Sequence, residues 1–342
     1  MAIRKLHRLL LLTFLLAVPA VSVGQSKTVM AYYENSASEP SLRAYASYLN
    51  QIPTDTFAIS ASGKISGAAP VKALAFAHKH GMQTFATVSN FGKSGFVAGI
   101  AESIVNNPAH SARAIQEMLR VITTYGYSGV NVDFEAVPHR DRAAFTAFIQ
   151  AVAEAMRPAG YLTVLSAPAE LQDDPNDSWT GAFDFKALAP NVDILQLMTY
   201  DENGPWGPAG PVAGMDWVGP CAQFAASVVP PNQISLGIPA YGYDWNLTRH
   251  NGVQVQWKRI PALLAKTGAT PQWDATSSSP YFSYTAPNGT NHVVWYEDAR
   301  SIQLKSALAV SDNLAGVSVF ALGFEDQPFW DAVAAGLHQK HR

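Results

Sequence analysis

The stretch Tyr127-Ser-Gly-Val-Asn-Val-Asp-Phe-Glu135 decides how this chain is read. It has the length and β-branched content of a short strand. Successive side chains on a strand point to opposite faces. Asn131, Asp133 and Glu135 therefore share one face, and Val130, Val132 and Phe134 share the other. A strand with its apolar row turned outward belongs to a sheet covered by helices on that side. Its polar row then lies in an interior, where carboxylates are costly unless paired, hydrogen-bonded or protonated.

Working outward, β-rich apolar runs alternate with helical patterns. The strand candidates are 28–33, 56–59, 83–89, 129–135, 162–167, 193–199, 234–240 and 317–322. Helical periodicity falls at 41–49, 70–80, 112–124, 142–156, 217–228 and 300–310, with a short, weakly helical connection at 183–188. This alternation predicts an α/β fold with a parallel sheet, and eight strands in 342 residues fit a (β/α)8 TIM barrel. The rhythm breaks at about 246–298, where seven aromatic residues accompany an Asn288-Gly289 turn signal. A small α+β insertion between the seventh and eighth strands is expected there, with a helix at 261–266. It is either an aromatic mini-core or a wall of a binding cleft.

The ends and composition set bounds. Arg4, Lys5 and Arg8 precede the apolar run Leu9–Leu16, and Ser22-Val-Gly24 places small residues before Gln25. This pattern predicts a signal peptide at 1–24, too short to anchor in a bilayer, with the barrel at 25–342. Export to a secreted or periplasmic location follows. Without the three leader cations the chain keeps 20 Lys and Arg against 26 Asp and Glu, a net charge of −6. That balance argues against nucleic acid, and no later run is long enough for a membrane span. Cys221 is the only cysteine, so no internal disulfide can form. The expected state is a monomer that needs no metal or other cofactor. His78-Lys-His80 has no second ligand pair at usable spacing, and Phe91-Gly-Lys-Ser94 lacks the earlier glycine of a phosphate loop.

In such a barrel the active site lies at the C-terminal ends of the strands. Glu135 is expected as the last residue of the fourth strand, with Asp133 about 6.5–7 Å deeper and Asn131 deeper still. Two carboxyls this close raise the pKa of at least one, and a Glu kept protonated can act as a general acid. Taken alone, the pattern fits equally a satisfied polar cluster inside the barrel.

Gly129-Val-Asn-Val-Asp-Phe-Glu135 resembles the fourth-strand signature of the family 18 glycoside hydrolases, Asp-Gly-x-Asp-x-Asp-x-Glu. Asn131, Pro138 and Asp141-Arg142 are most similar to the spore cortex-lytic N-acetylglucosaminidase branch. Leu197-Met-Thr-Tyr-Asp201 resembles the sixth-strand motif, and Gly204–Pro211 the Gly/Pro-rich loop after it. Leu236–Gly242 and Gly316–Gly323 resemble the seventh and eighth strands. Two positions depart from the pattern. Ser128 stands for the first Asp, which places the support behind Asp133 in question, and Phe320 stands for the Trp under the reacting sugar.

The resemblance implies a secreted hydrolase of β-linked N-acetylglucosaminyl bonds, in peptidoglycan or chitin-type glycans, working by substrate-assisted retention. Glu135 is implied as the acid and Asp133 and Tyr200 as partners of the substrate's acetamido group. Tyr32, Asn90, Asn131, Met198, Asp201, Glu202, Trp206 and Phe320 are implied as binding residues. The rival readings are a lectin-like sugar binder on the same fold and a scaffold that holds cell wall without turnover. The presence of Glu135, Asp133 and Tyr200 together favours the enzyme.

Overall fold

The computed structural model describes residues 27–339. The expected signal peptide at 1–24 lies outside the described residues. Eight parallel strands form the main sheet: Thr28–Ala31, Gln51–Ile59, Gln83–Ser89, Gly129–Asp133, Leu162–Pro168, Ile194–Met198, Ile234–Pro239 and Gly316–Phe320. Each pairs with the next, the eighth pairs with the first, and Met30 meets Gln51 to complete the ring. The sheet is thus a closed barrel, a (β/α)8 fold. A short strand, Ile65–Gly67, folds back antiparallel on the second barrel strand.

Helices cover the outside, packed on the outward valines, leucines and phenylalanines of the strands. Local chemistry sets their ends. In the third connection, Ala98–Asn106 and Pro108–Tyr125 are separate helices. Asn107 caps the second by accepting from Ala109 and His110 N–H, Pro108 takes the first turn, and Gly126 ends it at φ 72°. Sequence periodicity reveals only the amphipathic part of the second helix. The first is short, nine residues with Gly99 in its opening turn.

Inside the barrel the side chains lie in layers. Met30, Phe85, Val164 and Ile194 form an apolar floor. Above it sits a polar layer joined by hydrogen bonds. Asn131 Nδ2 donates to the Tyr32 hydroxyl at 2.9 Å, Ser166 Oγ donates to Asn131 Oδ1 at 3.1 Å, and Tyr32 donates to Gln196 Oε1 at 3.2 Å. Gln196 Nε2 closes the layer on Ser318 at 2.9 Å. These groups satisfy one another, which is what makes a polar interior tolerable.

Between the seventh strand and the helix Ala299–Ser311 lies a five-stranded antiparallel sheet built from Tyr241–Asn246, Asn251–Gln256, Gln272–Asp274, Ser279–Thr285 and Asn291–Trp295. One face packs Tyr241, Tyr243 and Trp245 toward the barrel mouth. The other covers the helix Ile260–Thr267 with Phe282, Val294 and Tyr296. Among the described residues no helix is long and apolar enough to cross a membrane.

Candidate active site

The C-terminal mouth of the barrel opens into a cleft of about 1220 Å³. Its floor carries Asp133, Glu135, Tyr200, Met198 and Phe320. The main-chain ladder between the third and fourth strands ends at the pair Ser89–Asp133. Glu135 therefore lies two residues beyond the strand rather than at its last position. Ala136 follows at φ 52°, and the chain turns away. The polar alternation continues through residue 135 although the ladder does not, so periodicity alone misplaces the strand end.

Asp133 is buried and Glu135 partly buried. Burial is the main reason both carboxyls are pushed far above the ordinary carboxylate range. The charge of Asp55 adds to the rise at Asp133, and Asp133, Asp201 and Asp55 add to the rise at Glu135. The neighbouring Ser166 hydroxyl works the other way on Asp133. The pair is therefore held toward its protonated forms, Glu135 the more strongly, so that when one of the two ionises the remaining proton resides on Glu135. Tyr200 is pushed well above its ordinary value by burial and by the neighbouring Tyr32, Asp133 and Glu135, so its hydroxyl stays a donor.

Phe320 packs its ring against Tyr32 at 5.8 Å, Tyr200 at 6.0 Å and Tyr241 at 6.4 Å between centroids. It presents an apolar surface at the base of the cleft. Asp201 sits at φ 60° just after the sixth strand, and its Oδ1 accepts from the Tyr241 hydroxyl at 2.7 Å and the Tyr243 hydroxyl at 2.8 Å. Trp206 stands on the rim, highly exposed, with Trp179 and Phe91 on other parts of the wall.

Of the residues implied as binding groups, Asn131 and Asn90 lie outside the cleft and Glu202 is engaged at its edge. Asn131 is fully buried in the polar layer beneath the cleft. Asn90 is also fully buried and does not line the cleft; its amide bonds to the main chain of Glu135 and Val97. Glu202 reaches the cleft edge, but its Oε2 accepts from Gly214 N–H at 2.8 Å, just before the helix Met215–Val228. Ser128, questioned as the support of Asp133, lies at the opposite end of the strand, where its hydroxyl accepts from Thr84 N–H at 3.1 Å. It cannot reach Asp133, five residues farther along.

Sequence reasoning misses Asp55 and Glu34, two further carboxyls in the cleft wall. It begins the second strand at Thr56, because Gln51, Thr54 and Asp55 interrupt the apolar run. A β-bulge between Asp55 and Phe57 absorbs Thr56 and leaves Asp55 paired in register with inward Thr87. Burial and the nearby Asp55 push Glu34 up to about 7. Among the described residues that line the cleft there are six carboxyls and no Lys, Arg or His. The only advance signal for Asp55 is a carboxylate inside a β-rich run.

Comparison with known proteins agrees with this geometry. The family model described as glycosyl hydrolases family 18 matches residues 28–325. A Bacillus subtilis (strain 168) protein described as uncharacterized glycosylase YvbX is 38% identical over 305 residues, covering 88% of this chain and 89% of that protein. The cortical fragment-lytic enzyme of Bacillus anthracis is 29% identical over 251 residues, which are 71% of this chain and 57% of that enzyme. The solved structure of a chitinase from Chromobacterium violaceum ATCC 12472 superposes with a TM-score of 0.87. It is 36% identical and covers 92% of this chain and 100% of its own.

Proposed function

The chain belongs to glycosyl hydrolase family 18, and we propose that it hydrolyses β-linked N-acetylglucosaminyl bonds in peptidoglycan or chitin-type glycans by substrate-assisted, retaining catalysis. The observation that carries this reading is the placement of Glu135. It is a carboxylic acid kept protonated at the floor of an open cleft, with Asp133 immediately deeper. The names of the cortical fragment-lytic enzyme and the chitinase support the substrate class.

Glu135 gives its proton to the glycosidic oxygen as the bond to the leaving sugar breaks. The electrons that replace that bond come from the substrate's own 2-acetamido oxygen, which attacks the anomeric carbon and closes an oxazolinium ring. Asp133 accepts a hydrogen bond from the acetamido N–H and offsets the positive charge that develops. The Tyr200 hydroxyl donates to the acetamido oxygen and holds it in line. Glu135, now ionised, takes a proton from the water that opens the ring from the opposite face. Two inversions leave the β configuration. Phe320 supplies the apolar platform beneath the reacting sugar, with less area than an indole. The leader-like pattern supports an exported location as part of this proposal, and the proposed working unit is a monomer.

Parallel digestion of chitooligosaccharides and of peptidoglycan, with mass analysis of the products, tests the proposal. New N-acetylglucosamine reducing ends, formed first as the β anomer, are expected. Muramic acid ends, α product or no cleavage of either glycan would overturn it. A thiazoline mimic of the oxazolinium ring is expected to inhibit competitively; its failure to bind would remove substrate assistance.

The charge of Asp55 has a measurable consequence. Because it helps keep the proton on Glu135, Asp55→Asn lowers that pKa. The alkaline limb of the kcat/KM profile, which reports loss of the acid, moves to lower pH. An unmoved limb would show that Asp55 does not act on Glu135.

A further inference from the structure

We infer that Asn90 is a positioning residue for Glu135: its side-chain amide extends the sheet past the last main-chain pair and fixes the backbone of the acid at the cleft floor. The inference rests on the reading of Glu135 as the proton donor.

The geometry is that of a peptide group supplied by a side chain. Glu135 N–H donates to Asn90 Oδ1 at 2.9 Å, and Asn90 Nδ2 donates to Glu135 C=O at 2.8 Å. Both main-chain groups of Glu135 are satisfied by one amide, beyond the Ser89–Asp133 pair that ends the ladder. Asn90 is the next residue after Ser89, so the amide sits where the third strand would have continued. A main-chain continuation is not available. Ala136 adopts φ 52°, and the third strand gives way to its own loop. A left-handed non-glycine residue directly after the acid needs its surroundings to hold it. Asn90 provides that hold from a fully buried position.

The side-chain chemistry is selective. The site asks for one acceptor and two donors on the same carbon. The second N–H of Asn90 goes to Val97 C=O at 3.2 Å, and Val97 N–H returns to Asn90 C=O at 3.1 Å. Aspartate has no donors, serine no reach, and glutamine one methylene too many. The Val97 bonds close the loop that carries Phe91 and Phe96, stacked edge to face at 5.1 Å in the cleft wall. One residue therefore anchors both the acid and an aromatic wall of the cleft. If Asn90 served only its own loop, the Val97 bonds would suffice, and nothing would require the reciprocal pair to a residue 45 positions away.

The test uses two substrates with the same glycone. A chitooligosaccharide has a sugar leaving group that must be protonated. A 2,4-dinitrophenyl chitobioside has a leaving group that departs without help. In the full chain, Asn90→Ala is expected to lower kcat on the oligosaccharide about 100-fold, the scale of a misplaced catalytic group, with KM little changed. On the dinitrophenyl substrate the loss is expected to be under about tenfold. Asn90→Asp, isosteric but without donors, is expected to show the same selectivity. An equal loss on both substrates, or parental kcat, overturns the inference. So does a failure of both variants to fold at the assay temperature, which would make Asn90 a fold determinant. Glu135→Gln run beside them separates the two readings. If it retains oligosaccharide hydrolysis, the assignment of the acid fails. If it is inactive while the Asn90 variants are parental, only the role of Asn90 fails.

Discussion

Glu135→Gln lowers kcat/KM on a chitooligosaccharide by about 10²–10⁴-fold, the range that a positioned general acid supplies. The amide keeps the size and hydrogen-bonding reach of the acid but has no proton to give. Ligand binding survives, because the cleft walls are untouched and the neutral acid is replaced by a neutral amide. The loss falls on kcat with KM nearly constant, the signature of an interaction made only in the transition state. Stability moves the other way. In the native state burial and neighbouring carboxyls hold Glu135 protonated, while in the unfolded chain it ionises near its ordinary value of about 4.3. The unfolded state therefore gains from ionisation as the pH rises, and native stability falls until the raised native pKa is passed. The substituted amide does not titrate, so the variant should match the parent near pH 4 and melt above it by pH 8. Each kcal/mol recovered raises the melting temperature by about 2–4 °C. Equal melting curves at pH 8 would show that Glu135 is not held neutral. Retained turnover would show that it is not the acid.

The barrel was legible because its strands alternate with amphipathic helices, and eight such units in a chain of this length fit a closed barrel. Arg142–Met156, with one phenylalanine-rich stripe, matches its predicted limits. The inward row alone reads equally as a satisfied polar cluster, so it is the resemblance to the family signature that singles out Glu135 as the candidate acid. What stayed hidden depends on contacts between distant parts of the chain. Strand ends are set by hydrogen bonds, and the bonds that hold Glu135 come from Asn90. Nothing near residue 135 announces that partner. Asp55 was hidden by a bulge, which shifts the period by one residue and defeats alternation as a guide to facing. Ser128 drew attention as a departure from a motif, yet its place at the far end of the strand gives it a structural task on Thr84. A motif position records adjacency in sequence, and along a strand five residues amount to about 16 Å.

Asp133→Asn separates the two carboxyls by role. The variant keeps an acceptor for the acetamido N–H but loses the charge that offsets the developing oxazolinium. A loss of about 10²–10³-fold in kcat is expected, comparable to removal of one preorganised electrostatic contact. A second effect should accompany it. The Asp133 charge is the largest of the neighbouring charges that raise Glu135. With that charge gone, Glu135 gives up its proton more easily and the alkaline limb of kcat/KM shifts to lower pH. The shift should exceed that of Asp55→Asn, because Asp55 ranks behind Asp133 and Asp201 in its effect on Glu135. The two results bear on different steps. A fall in kcat without a pH shift would make Asp133 a partner of the substrate that does not sense Glu135. A pH shift with parental kcat at the optimum would leave Asp133 a modulator of the acid, and the acetamido group would need another acceptor. Only both together fit a pair in which one carboxyl serves the leaving group and the other serves the nucleophile that the substrate brings.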